Sequence, residues 1–109
     1  MKRWEVNLSD IAEADLDGIY AYISETLLEP IAAWRQVERI NEAILTLDKM
    51  PERCPLLADE PWRSRGLRRL LVDNYSVIYE VQKATNTVSV VAVMYNKRDI
   101  STILYQDEQ

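Results

Sequence analysis

The stretch GLRRLLVDNYSVIYEVQKATNTVSVVAVMY, residues 66–95, decides the fold. Two strand-length runs, residues 67–72 and 75–82, are separated only by Asp73 and Asn74, a link that suits a tight hairpin. The second run alternates Tyr75, Val77, Tyr79 and Val81 with Ser76, Ile78, Glu80 and Gln82. A period of two gives a strand with two distinct faces, the first expected against the core and the second outward or into a groove. After the polar turn 83–87 a valine-rich run, residues 88–95, is apolar on both sides and so belongs in the middle of a sheet. Three consecutive strands in this form are a meander.

Working outward toward the start, residues 51–66 carry three prolines and a glycine with little periodicity, and read as a long loop that Trp62 can pin down. Before it, Ala33, Val37, Ile40, Ile44 and Leu47 step by three and four, with Trp34 and Leu45 widening the stripe. That spacing predicts a helix opened by Pro30 and stopped before Pro51. Ala12, Leu16, Ile19, Tyr20, Ile23 and Leu27 predict an earlier helix over residues 10–28, with Ser9 and Asp10 as capping oxygens and Asp10–Glu13 at capping-box spacing. The short break between the two helices favours an antiparallel hairpin. Residues 3–8 alternate Trp4, Val6 and Leu8 with polar neighbours, a first strand. At the other end, residues 99–105 suit a short closing helical turn. The expected architecture is therefore a single α+β domain over residues 1–109. It has a strand, a helical hairpin and a three-strand meander, the helices packed on one face of a mostly antiparallel four-stranded sheet.

Composition narrows the chemistry. The 109 residues include no histidine and one cysteine, Cys54, which leaves no His-based general base, no zinc-site spacing and no internal disulfide. No cofactor is expected. Residues 1–10 are too short and polar for a signal peptide, no apolar run reaches membrane-spanning length, and a reducing cytoplasm is the expected setting. The net charge of −5 argues against an overall nucleic-acid-binding surface. It is unevenly spread: residues 1–61 hold 13 acidic and 6 basic side chains, residues 62–109 hold 5 and 7. An anion site, if there is one, belongs to the second half.

Taken in order, the strings AEADLDGIYAYI, LDKMPERCP, GLRRLLVDNYSVIYEV and VSVVAVMYNKRDI resemble the ParE/RelE superfamily over residues 3–104. The resemblance implies a small growth inhibitor of a bacterial type II toxin–antitoxin pair, neutralised by a cognate antitoxin that also carries any contact with DNA. Two chemistries occur in that superfamily. The RelE-like branch cuts messenger RNA on the ribosome; the ParE-like branch poisons DNA gyrase and is not a nuclease.

For RNA cleavage the resemblance implies Arg98 and either Arg68 or Arg69 as phosphate-positioning groups, with Tyr105 as acid although the simplest alignment places Leu104 there. Arginine clamps phosphate well and shuttles protons poorly. The main departure is Ser76, standing where RelE-like nucleases carry an arginine for the transition state, a loss expected to cost on the order of a few kcal/mol. VDNYSVIYEV and the terminal KRD look closer to the ParE-like branch. Arg63, Arg65, Arg68, Lys97 and Trp62 are then the expected contacts to target or antitoxin. The arginine run reads equally as a charged edge strand. A toxin that only binds its antitoxin and regulates their operon is a third reading. Arg98 beside Asp99 is a site cation or a structural pair; Tyr75, Tyr79 and Tyr95 read as core or edge aromatics, and Glu80 as a surface residue. Trp4 and Trp34 read as packing, Trp62 as either the loop's pin or an exposed contact, and Cys54 as a buried thiol.

Overall fold

A computed structural model describes residues 3–96. Four strands, β1 (Glu5–Leu8), β2 (Leu67–Val72), β3 (Tyr75–Gln82) and β4 (Thr87–Tyr95), lie side by side in the order β1-β4-β3-β2. The meander pairs antiparallel, with Val72 opposite Tyr75 and Tyr75 opposite Tyr95. Its tight link works because Asp73 adopts φ 54°, a left-handed conformation that aspartate tolerates better than most residues. β1 joins the far side of β4 in parallel, Leu8 opposite Val90. The valine-rich strand is thus interior, as its two apolar faces require.

Helices α1 (Asp10–Ala21) and α2 (Pro30–Leu45) cover one face, Pro30 taking the first position of α2. The helix expected to run to residue 28 changes to a π-helical turn over Tyr22–Thr26. Ser9 is the N-cap of α1: its hydroxyl oxygen accepts from the Ala12 amide at 3.0 Å. Asp10 and Glu13 therefore do not form the capping pair; they place negative charge in the first turn, where the helix dipole favours it.

The main core fills the space between helices and sheet, from Ala12, Leu16, Ile40, Ile44 and Leu47 to Val77, Tyr79, Val88 and Val90. Trp34 is not part of it. It is 60% exposed, and Leu45 is exposed too, because one step along a helix turns a side chain by about 100° and so away from the inner stripe of Ala33 and Ile44. Trp4 does pack against the core.

The second face of β3 also departs from expectation. Ser76 and Ile78 are fully buried, since the loop after α2 folds back across the sheet. Leu57 and Trp62 from that loop cluster with Leu67, Ile78, Ala92 and Met94. Leu57 N–H bonds the Leu67 carbonyl and Arg69 N–H the Pro55 carbonyl, so the loop lines the outer edge of β2 as well.

Pairing of β3 with β4 slips between Ile78 and Tyr79, leaving Val91 as the extra residue of a bulge. Ser9 Oγ donates to the carbonyl of Val91, and an Asp15 carboxylate oxygen accepts from Val93 N–H at 2.9 Å. Helix α1 thereby completes the edge of β4 beyond the end of β1. The closing turn expected over residues 99–105 lies outside the described residues. Among the described residues no helix is long and apolar enough to cross a membrane.

Candidate functional site

Arg68 and Arg69 are neighbours on β2, so the pleat sends them to opposite faces. Arg68 stands opposite Tyr79, on the helix side. Its guanidinium donates to the carbonyls of Glu52 at 3.1 Å and Cys54 at 2.7 Å, and lies 3.7 Å from the Glu52 carboxylate. Tyr79 donates its hydroxyl to the Pro51 carbonyl at 2.6 Å in the same place. Burial, with the Cys54 thiol against it, pushes the Tyr79 phenol above its ordinary range. These bonds hold the turn over Pro51–Arg53 to the sheet, and Arg68, with a side chain only 18% exposed, is occupied by that work. Cys54 is half-buried and packs against the core.

Arg69 has the opposite environment. Its Nε donates to Ser76 Oγ at 2.8 Å and its Nη2 to Asn96 Oδ1 at 3.5 Å, while Ser76 donates to the same Asn96 oxygen. Asn96 is held in turn by its own amide on the Asn74 carbonyl at 2.9 Å. The structure thus gathers Arg69, Ser76 and Asn96 on the sheet face away from the helices, at the end of β4 from which the chain runs on to Lys97 and Arg98. Asn96 was missed in the sequence, where it reads as one more polar residue after a strand; only its place two residues beyond Met94, the partner of Ser76, could have signalled it.

The other expected site residues do not join this cluster. Trp62 is 1% exposed and is the loop's pin, so the reading of an exposed contact is corrected. The Arg65 guanidinium carbon sits 5.5 Å from the Trp62 ring centroid, a cation–π arrangement that shields the tryptophan further. Arg63 and Arg65 are both exposed in the turn before β2. Lys97, Arg98 and Tyr105 lie outside the described residues. Glu80 is half-buried on the face of Ser76 but about 13 Å along the strand from it, too far to serve it as a base. Among the described residues no group of three metal-ligating side chains comes together.

A second feature lies on the helix side. A groove of about 750 Å³ runs between α1 and the end of β4, lined among others by Ile19, Tyr22, Ile23, Leu27, Tyr75 and Tyr95. Tyr75 and Tyr95 pack with ring centroids 5.6 Å apart, and burial raises the Tyr75 phenol, with Tyr95 and Tyr22 adding to the effect. From the groove an exposed apolar surface continues over the hairpin tip through Leu27, Leu28, Ile31 and Trp34. A surface of that kind on a small domain marks a place for a partner. Chemically, then, the molecule offers one oriented guanidinium on one face and an apolar groove on the other, without a proton-transfer pair among the described residues.

Comparison with known proteins bears on the family and the fold. The family model for the ParE toxin of the type II toxin–antitoxin system parDE matches residues 6–100. A chain of the chromosomal ParDE toxin–antitoxin system from P. aeruginosa superposes with a TM-score of 0.71 at 21% identity, over 87% of this chain and 98% of that one. A chain of the RelBE2 toxin–antitoxin complex of Mycobacterium tuberculosis gives 0.64 at 19% identity, over 85% and 98%. The isolated E. coli RelE toxin gives 0.56 at 13% identity, over 96% and 97%. No curated protein sequence gives a significant match.

Proposed function

Because this chain belongs to the ParE toxin family of type II toxin–antitoxin systems, we propose that it arrests growth by binding a replication target such as DNA gyrase. A cognate antitoxin holds it inactive in the cytoplasm and makes whatever DNA contact the pair requires. The observation that carries the choice of branch is Ser76. Where the messenger-cutting branch places a cation for the transition state, this chain has a fully buried hydroxyl already engaged by Arg69 and Asn96. A serine there cannot neutralise charge developing on phosphorus, and the described residues supply no proton shuttle beside it. Binding needs neither. The groove and hairpin tip supply the apolar contact area that a protein partner requires.

Ribosome-dependent RNA cleavage is the second reading, and the observation in its favour is that Arg69 faces away from the helices and, among the described residues, bonds only neutral partners, in position to meet a phosphate. In that reading Arg98 and Arg69 position the phosphate and Tyr105 acts as acid. Inducing the protein alone and with its antitoxin, while following DNA and protein synthesis by label incorporation, separates the two. DNA synthesis should fall first, with rescue by the antitoxin, and the purified protein should block gyrase supercoiling. Protein synthesis failing first, with message cut on translating ribosomes, overturns the proposal. Induction without growth arrest would leave a protein that only binds its antitoxin.

A further inference from the structure

We infer that Arg69, clamped by Ser76 and Asn96, is an anchor for a carboxylate of the antitoxin. The inference rests on the toxin reading above and goes beyond it by naming a site and the chemistry that fills it.

A guanidinium presents five N–H donors in a rigid fork, and its two edges each match the spacing of a pair of oxygens. On Arg69 the Nε–Nη2 edge is taken by Ser76 Oγ at 2.8 Å and Asn96 Oδ1 at 3.5 Å. Those two oxygens stand where the oxygens of a carboxylate would, yet neither carries charge. Ser76 is fully buried and donates on to Asn96, so the clamp is itself held in place. The cation is therefore oriented but not neutralised by any carboxylate among the described residues. Arg68 on the same strand shows the contrast, since it lies beside Glu52. Arg39 shows it again, pairing with both oxygens of Asp73. Among the described residues nothing bonds Nη1 of this half-buried guanidinium, so its Nη1–Nη2 edge is a standing site for an anion.

Carboxylate fits better than phosphodiester. A nucleic-acid backbone is met by several cations working together, and the net charge of −5 opposes its approach. A single planar fork suits one carboxylate. Leu71 supports a peptide as the source of that carboxylate. It sits two residues along β2 on the same face as Arg69, opposite Ser76 in register, and is 62% exposed. The backbone ladder that the loop lays along the edge of β2 ends at Arg69, so nothing among the described residues pairs with the strand at Leu71. An acidic side chain with an apolar neighbour would find both of its contacts here.

The test is calorimetric titration of the full-length protein with its cognate antitoxin, and separately with a short single-stranded RNA. Arg69→Gln should weaken antitoxin binding on the order of 10- to 100-fold and reduce its sensitivity to salt. Arg69→Lys, which keeps the charge and loses the fork, should recover only part of it. Ser76→Ala should weaken binding several-fold alone and add little on top of Arg69→Gln, as expected if Ser76 acts through the arginine. Antitoxin carrying Asp or Glu→Lys at the contacting position should bind Arg69→Glu better than it binds the parent. Unchanged antitoxin affinity in Arg69→Gln overturns the anchor. So does a loss confined to RNA binding, which would move the site to a nucleic acid. Failure of the parent protein to bind the antitoxin at all would instead overturn the toxin reading.

Discussion

Tyr79 joins two tasks in one side chain. Its ring is fully buried in the main core and its hydroxyl holds the Pro51 carbonyl at 2.6 Å. Tyr79→Phe should keep the ring and lose the bond, lowering stability by about 0.5–1.5 kcal/mol, seen as a lower urea midpoint at unchanged slope. The raised phenol has a second consequence. The folded state holds this proton more tightly than the unfolded one, so its contribution is fully present below pH about 10 and is lost as pH rises beyond. The Phe variant should therefore lose less stability than the parent between pH 9 and 11, roughly the range around an ordinary tyrosine. At this scale the sequence was legible in type and silent in pairing. Arg68 and Arg69 looked interchangeable as residues; the pleat alone separates them, and only the register with Tyr79 and Ser76 says which one meets the loop.

Among the elements, strands and helices could be read because their apolar spacing repeats. Residues 51–66 could not, having no period to read, and they turned out to roof the second face of the sheet. The same blindness placed Trp34 in the core and left Trp62 with two readings, since bulk alone does not say which tryptophan is enclosed. Two substitutions separate them. Trp62→Ala should cost about 3–5 kcal/mol by leaving a cavity over Ile78 and Met94, measured by chemical denaturation. Trp34→Ala should change stability by no more than about 0.5 kcal/mol yet weaken a partner seated on the hairpin tip. The join between α2 and the β2–β3 hairpin makes a different prediction. Arg39 and Gln36 both donate to Asp73, and the arginine bond above all holds this carboxyl below its usual range. The stabilisation is present above pH about 4 and disappears as pH falls through the lowered value. Asp73→Asn keeps a residue tolerant of φ 54° and removes the charge. Its melting temperature should sit slightly below the parent's at pH 7 in low salt and converge with it in acid or in high salt, because the pair is exposed.

For the molecule as a whole, the charge asymmetry read from composition has a spatial counterpart only in part. The acidic first half supplies both helices and β1, and the basic second half supplies β2, β3 and β4, but two of its arginines are absorbed by the fold, Arg68 beneath the loop and Arg65 against Trp62. What remains for a partner is local, which is why net charge could not have found it. The placement of β1 beside β4 has one more effect. Leu8 meets Val90 across a separation of 82 residues, and the Ser9 hydroxyl that caps α1 also reaches the Val91 carbonyl. Such long-range pairing forms late. A nascent chain leaving the ribosome can make its helical hairpin early, but it has no finished sheet, no Asn96 beside Ser76 and no groove wall until β4 has been translated. Whatever the finished sheet and groove do to the cell, each copy can do it only after its own β4 has emerged to meet β1.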